Sequence, residues 1–276
     1  NLLQRFLKFH RIDTFLNPNT TIKYITDTIN INYEEGQLSI KNLSDNYIRP
    51  KVLYVPAERS FCTAISNPNK VAGMPSNVLD FLADYYDSVK AQNGNKVLLP
   101  LNGYEFRFSE KDNTAYISDK KNAYEIRIEE ASSGLQSLTP MYITINHYLK
   151  QIMKKVEDRE DEFSLIQMQK IHTLMAGHYI RPSDFETQCK KIINSRLVCI
   201  IEEPEQSFHP GFQRLFMNMI SMNEMFGKCY FFFTTHSNHI IDNCLNYDNI
   251  SIYKFINTDK NNKIFKVINT TNNDVD

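Results

Sequence analysis

LVCIIEEPEQSFHP, residues 197–210, decides the fold. Five apolar residues run into two adjacent carboxylates, Glu202 and Glu203, and Pro204 stops the run. A short continuous apolar stretch predicts a strand buried on both faces, as in a parallel sheet. In open α/β sheets, ligands bind just past the carboxyl ends of strands. Two acids there can divide labour. One holds Mg²⁺ through water against nucleotide phosphates, and the other orients and deprotonates an attacking water. A solvated strand end with charged residues fits the same letters, and the stretch alone does not choose.

KCYFFFTTHSNHI, residues 228–240, adds a second strand ending at Thr234, Thr235 and His236. Phe231, Phe232 and Phe233 read as a strand buried on both faces, not as a base-stacking platform. If the two strands are neighbours, His236 enters the same crevice, where it can hydrogen-bond a phosphate oxygen or the attacking water. A histidine satisfied within the structure is the competing reading. Ser237 suits the N-cap of the next helix. Helical patterns over 211–224 and 239–245 alternate with these strands, and two β segments follow, SIYKFI at 251–256 and KIFKVI at 263–268. Such alternation predicts an α/β sheet with parallel strands.

Upstream, ASSGLQ at 131–136 precedes a long helical pattern, Leu135 to about Val156. Its backbone N–H groups and Ser hydroxyls form a ready anion site at a helix N-terminus. An ordinary Ser N-cap beside a glycine turn is the bland alternative. The other elements expected are a helix end at 1–9, one strand over 21–33, a turn at 34–36 and its hairpin partner at 37–43. A buried strand is expected at 51–55, and a helix at 76–92 with Ser76 as N-cap. A β meander is expected over 96–129 and a charged stretch over 154–162. Further helices are expected at 163–176 and from the capping box Ser183-x-x-Glu186 to about Asn194. The polar last seven residues read as a frayed tail.

The 276 residues carry 31 Lys+Arg against 32 Asp+Glu, a net charge of -1, so the whole sequence exerts no pull toward nucleic acid or anionic membrane. At 42% hydrophobic and 23% charged, wholesale disorder is excluded. No apolar run reaches the roughly 20 residues of a membrane helix. Five scattered cysteines without a C-x-x-C pair argue against a disulfide framework or zinc cluster and for a reducing, cytoplasmic setting. The eight glycines settle a further point, because no two lie closer than nine residues. A P-loop needs glycines five apart followed by Lys-Ser/Thr, and the dinucleotide fingerprint needs spacings of two and three. This sequence contains neither phosphate cradle.

In order and spacing these motifs resemble the later portion of an ABC-type ATPase head of the RecF, SMC and OLD-like group, often labelled AAA family ATPase. ASSGLQ resembles the ABC signature L-S-G-G-Q. Residues 197–203 resemble the Walker B strand with its catalytic glutamate. Glu203-Pro204-Glu205 through His209-Pro210 resembles the E-P-E-x-x-x-H-P continuation of the OLD-like branch. Thr234 to Ser237 resembles the H-loop, and YVPAERS at 54–60, with Arg59, is also found in that branch. The resemblance covers most of 21–268. It implies a partial P-loop NTPase (ABC ATPase-like) sheet, with a core lobe at about 21–60 plus 195–268. A helical signature lobe carrying the small β meander is inserted at about 74–194. There are three departures: the Walker A loop is missing, Glu202 replaces the usual Asp, and Ser133 replaces the first signature Gly.

The roles the resemblance implies are concrete. Glu202 helps hold Mg²⁺, Glu203 is the general base, and His236 steadies the γ-phosphate. Ser132, Ser133, Gly134 and Gln136 act across a head–head homodimer that sandwiches ATP. DNA or an effector protein is a possible further partner, and bacterial DNA repair or phage defence the setting. Without P-loop donors the isolated chain is expected to bind ATP poorly and not turn it over. A catalytically silent interaction module for an effector such as a nuclease is the alternative. A metal-dependent nuclease built on His209, His236 and His239 with Glu202, Glu203 and Glu205 is a third reading.

Overall fold

The computed structural model describes residues 19–26, 29–42, 50–65, 71, 73–92, 94–101, 103–122, 124–153, 196–222, 229–245, 247, 250–259 and 264–269. The expected helices at 1–9, 163–176 and 183–194, the charged stretch at 154–162 and the tail lie outside these residues. The chain divides into two compact units, Asn1–Arg49 with Ser164–Asn194, and Pro50–Phe163 with Ser195–Asp276.

The described part of the first unit is an antiparallel sheet of β1 (Ile22–Ile25), β2 (Ile29–Glu34) and β3 (Gln37–Asn42), in that order. The run 21–33 is therefore two strands, not the single strand expected. The Thr26 N–H donates to the Ile29 carbonyl at 2.9 Å, and the Ile29 N–H donates back to Thr26 Oγ1 at 3.0 Å. This bracket reverses the chain. The turn at 34–36 forms as read, with Glu35 at φ 51° and Gly36 at φ 76°. Two successive left-handed residues match the twist of the flanking strands.

The second unit is built on a parallel sheet of β10 (Cys229–Thr234), β9 (Arg196–Glu202) and β4 (Pro50–Val55), in that order, with β9 central. Its inner face presents Leu53, Val55, Leu197, Cys199 and Ile201, all fully buried. Against the sheet and each other pack α1 (Ser76–Lys90) and α2 (Ser133–Met153), with a 3-10 turn at Arg59–Ala64 beside α2. Strands β5 (Val97–Leu98), β6 (Tyr104–Ser109), β7 (Thr114–Asp119) and β8 (Tyr124–Arg127) form the expected antiparallel meander. After β9 comes α3 (Pro210–Met222), and after β10 comes α4 (Asn238–Cys244). The last two strands, β11 (Tyr253–Asp259) and β12 (Ile264–Asn269), pair antiparallel.

Two local expectations change. Pro75, not Ser76, holds the N-cap position of α1, and no side chain caps it. The Pro75 carbonyl accepts from both Val78 and Leu79 at 3.1 Å, so the helix begins one residue earlier than a Ser cap requires. Strand β10 is also not buried on both faces. Phe231 and Phe233 turn inward, stacked at 5.8 Å, and Phe216 of α3 meets Phe233 edge-on at 6.2 Å. Tyr230 and Phe232 point the other way and are 53% and 60% exposed. On the same face, across β9, Val52 is 53% exposed, because no second layer among the described residues covers it. Among the described residues no helix is long and apolar enough to cross a membrane.

Candidate functional site

Strands β9 and β10 are neighbours, so their ends lie side by side. Glu202 pairs in register with Thr234, and the Glu203 N–H donates to the Thr234 carbonyl at 2.8 Å. Glu203 then leaves the strand at φ 41°, a left-handed conformation uncommon for a residue with a side chain. Pro204 cannot donate to a ladder, so the pairing stops there. Two turn bonds close the loop, Gln206 N–H to the Glu203 carbonyl at 2.9 Å and Phe208 N–H to the Glu205 carbonyl at 2.8 Å. Ser207, at φ 66°, is a second left-handed residue. The Glu202 and Glu203 side chains remain half-buried at the sheet end. The Tyr54 hydroxyl is influenced by Glu202. Burial first, and Glu202 second, push its ionisation well above the ordinary phenol range.

His236 lies on the neighbouring loop with its ring exposed. Its backbone N–H donates to Glu205 Oε1 at 3.0 Å, which ties the two loops together. Ser237 caps α4 as expected, accepting from the Ile240 N–H at 3.4 Å. The Ser237 hydroxyl also donates to Gln213 Oε1 at 2.5 Å, and Gln213 Nε2 donates to the Phe208 carbonyl at 2.9 Å. This short chain fastens α4 to α3.

The first turn of α2 reaches the same loop from the other side. A Cβ on Gly134 would stand 3.3 Å from the Ser207 carbonyl oxygen, so a glycine permits this approach. Ser137 Oγ donates to the Gln206 carbonyl at 3.1 Å. Ser132 and Ser133 are exposed at the helix start. Gln136 turns back on its own turn, where Nε2 donates to the carbonyls of Glu129 and Ala131, both at 2.9 Å.

Beneath the loop lies Arg59, completely buried. Its Nε donates to the Ser137 carbonyl at 3.2 Å. Nη1 donates to Pro56 at 3.3 Å, Glu202 at 3.1 Å and Glu203 at 3.3 Å. Nη2 donates to Glu203 at 3.2 Å and Pro204 at 3.0 Å. Burial lowers its ionisation to about 10, opposed by the charges of Glu205 and Glu203, so it is protonated at neutral pH.

Of the seven sequence-predicted site residues, Glu202, Glu203 and His236 lie at the joined strand ends and Gly134 approaches the same loop, whereas Ser132 and Ser133 are exposed at the start of α2 and Gln136 bonds its own turn. The strand ends bring Glu202 and Glu203 beside the loop that carries His236. Ser132, Ser133, Gly134 and Gln136 arrive on α2. The nuclease cluster does not assemble. Among the described residues no three His, Cys, Asp or Glu side chains are placed to hold a metal ion. The clamp role of Arg59 and the tether role of Glu205 escaped the sequence reading. The E-P-E and YVPAERS stretches held the signal, but backbone carbonyl partners leave no mark in a sequence.

Residues 180–242 match the family model described as "AAA domain, putative AbiEii toxin, Type IV TA system". The matched stretch spans β9, α3, β10 and most of α4, and so includes Glu202, Glu203, Glu205 and His236. The match supports the ABC-type AAA ATPase resemblance on the stretch that carries the paired strand ends. No curated protein matches the chain. One similar solved structure is described as "Structural biochemistry of ATP-driven dimerization and DNA stimulated activation of SMC ATPases". It is 10% identical, covers 69% of this chain and 84% of its own, and has a TM-score of 0.36, a likeness too slight to decide anything.

The donor set at the loop fits a magnesium nucleotide in part. Two half-buried carboxylates at a parallel sheet end suit a water-mediated Mg²⁺ and a base. The exposed turn of α2 suits phosphate oxygens. The triphosphate cradle is the part this sequence does not contain.

Proposed function

We propose that the chain is the Walker B, signature and histidine portion of an ABC-type ATPase, hydrolysing ATP between two heads. The observation that carries the reading is the joining of the two strand ends within the matched stretch. Glu203 hydrogen-bonds the backbone of Thr234, and Glu205 the backbone of His236. Glu203 accepts the proton of the attacking water, and the exposed His236 ring donates toward the γ-phosphate. Glu202 is the residue that would hold Mg²⁺ through water; that ion, when bound, neutralises phosphate charge. Ser132, Ser133 and Gly134 offer hydroxyl and N–H donors at the start of α2 to the nucleotide of a second head. The role of Gln136 narrows to its remaining carbonyl oxygen, because both donors of its amide serve its own turn. The P-loop comes from sequence outside these 276 residues or from another polypeptide. Bacterial DNA repair or phage defence is the proposed setting, with DNA or an effector protein as partner.

The test is Mg²⁺-dependent ATP turnover by the complete gene product. Glu203→Gln should lower kcat at least about 100-fold, the range for loss of a general base, and leave nucleotide binding intact. The isolated chain should not turn ATP over. Robust hydrolysis by that chain, abolished in Glu203→Gln, would overturn its dependence on an outside P-loop. A complete product that never hydrolyses ATP moves the silent interaction module to first place. Ser133 at the signature position and the inward-turned Gln136 amide favour that second reading.

A further inference from the structure

Two side chains that take no part in the proposed chemistry hold the geometry of the loop after β9. The carbonyls of Glu202, Glu203 and Pro204 are consecutive, yet all three accept from one guanidinium. That convergence needs the left-handed turn at Glu203, which a non-glycine residue keeps only where its surroundings enforce it. The planar five-donor fork of Arg59 supplies the enforcement, and its Nε extends the hold to Ser137 in the first turn of α2. On the other side, Glu205 Oε1 takes the backbone N–H of His236. Its Oε2 is buried with no hydrogen-bond partner among the described residues. A buried carboxylate oxygen left unpaired is costly, and the nearby positive charge of Arg59 offsets part of that cost.

We propose that Arg59 and Glu205 are positioning residues that hold the Glu203 carboxylate and the His236 ring in one fixed relation, with Arg59 extending that relation to the start of α2. The inference rests on the ATPase reading above. Neither residue touches the reacting atoms. Arg59 acts through the backbone of Glu202 and Glu203, and Glu205 acts through the backbone of His236. A displacement of about 1 Å at a reacting group can cost on the order of 100-fold in rate, so the effect belongs in kcat rather than in nucleotide affinity.

The experiment uses the complete gene product with Mg-ATP and measures kcat, KM and Tm. Arg59→Lys keeps the charge but offers three donors from one point, too few to span five residues. It should lower kcat about 10- to 100-fold with KM for ATP within about twofold of the parent. Glu205→Ala should do the same. Glu205→Gln keeps an acceptor for the His236 N–H and should restore most of the rate. A loss of kcat at unchanged Tm and KM in Glu205→Ala, restored in Glu205→Gln, is a pattern a merely structural role does not predict. The proposal is overturned if folded Arg59→Lys and Glu205→Ala keep the parental kcat. It is equally overturned if their losses lie wholly in KM or Tm, or if Gln at 205 is no better than Ala. Should Arg59→Lys fail to fold, the Ala and Gln pair at 205 decides by itself. A parent that lacks Mg²⁺-dependent turnover sinks the ATPase reading and this inference together; an active parent with unaffected variants sinks this inference alone.

Discussion

Gly134 shows how one hydrogen atom sets the spacing at the loop. Alanine usually improves a helix over glycine by up to about 1 kcal/mol, and less in the first turn. Here the added methyl would sit 3.3 Å from the Ser207 carbonyl oxygen, which is backbone and not a flexible side-chain tip. Ser207 is already held at φ 66°. Overpacking a constrained contact costs about 1–3 kcal/mol, which exceeds the propensity gain. Gly134→Ala should therefore lower stability by about 1 kcal/mol, read by urea denaturation of the chain. An increase in stability would show that the loop yields freely and that the contact is incidental. The neighbouring Ser137 hydroxyl bond to Gln206 argues for the stiffer outcome.

At the scale of the element, β10 divides its apolar residues between two fates. Phe233 stacks on Phe231 and meets Phe216, whereas Phe232 is 60% exposed. Phe233→Ala should cost about 2–4 kcal/mol by cavity formation and lost packing, and Phe232→Ala about 0.5 kcal/mol or less. Thermal or urea unfolding of the two variants checks the contrast, and equal losses would place a covering layer on the outer face.

The three consecutive Phe residues gave the strand but not its layering, since apolarity does not tell how many layers surround a sheet. Strands β9 and β10, helices α2 to α4 and the Glu35–Gly36 turn were legible because their periods and breakers agree. The β1–β2 reversal was visible only as a change of parity. Apolar residues fall at Ile22 and Tyr24, then at Ile25, Ile29, Ile31 and Tyr33. The Thr26 hydroxyl that closes the reversal has no helix or strand period to reveal it. At the candidate site the acids and His236 were legible from their place at strand ends. Arg59 was legible only as a member of YVPAERS, because its partners are carbonyls contributed from 56, 137 and 202–204.

For the whole molecule, the proposed division of labour places Glu203 and the α2 turn on two different nucleotides. A nucleotide held between two heads makes dimerisation depend on it by mass action. The complete gene product carrying Glu203→Gln should be monomeric without nucleotide and dimeric with Mg-ATP, measured by sedimentation velocity. The same protein with a bulky Ser133→Arg substitution should stay monomeric while still binding ATP. Dimers that form equally well without nucleotide would detach assembly from ATP and favour the silent module.

The outer face of the parallel sheet, with Val52, Tyr230 and Phe232 open to water, has a practical consequence for anyone who makes this chain alone. Exposed apolar side chains that share a sheet face bind environment-sensitive fluorophores and promote salting-out. The chain should brighten 8-anilinonaphthalene sulfonate while retaining native far-UV and near-UV circular dichroism, which separates it from a molten globule. It should also precipitate early on an ammonium sulfate ramp. Threonine at both 230 and 232 should dim the dye and delay precipitation with little change in melting temperature, so shelf life and secondary structure would be tuned by different faces of one strand.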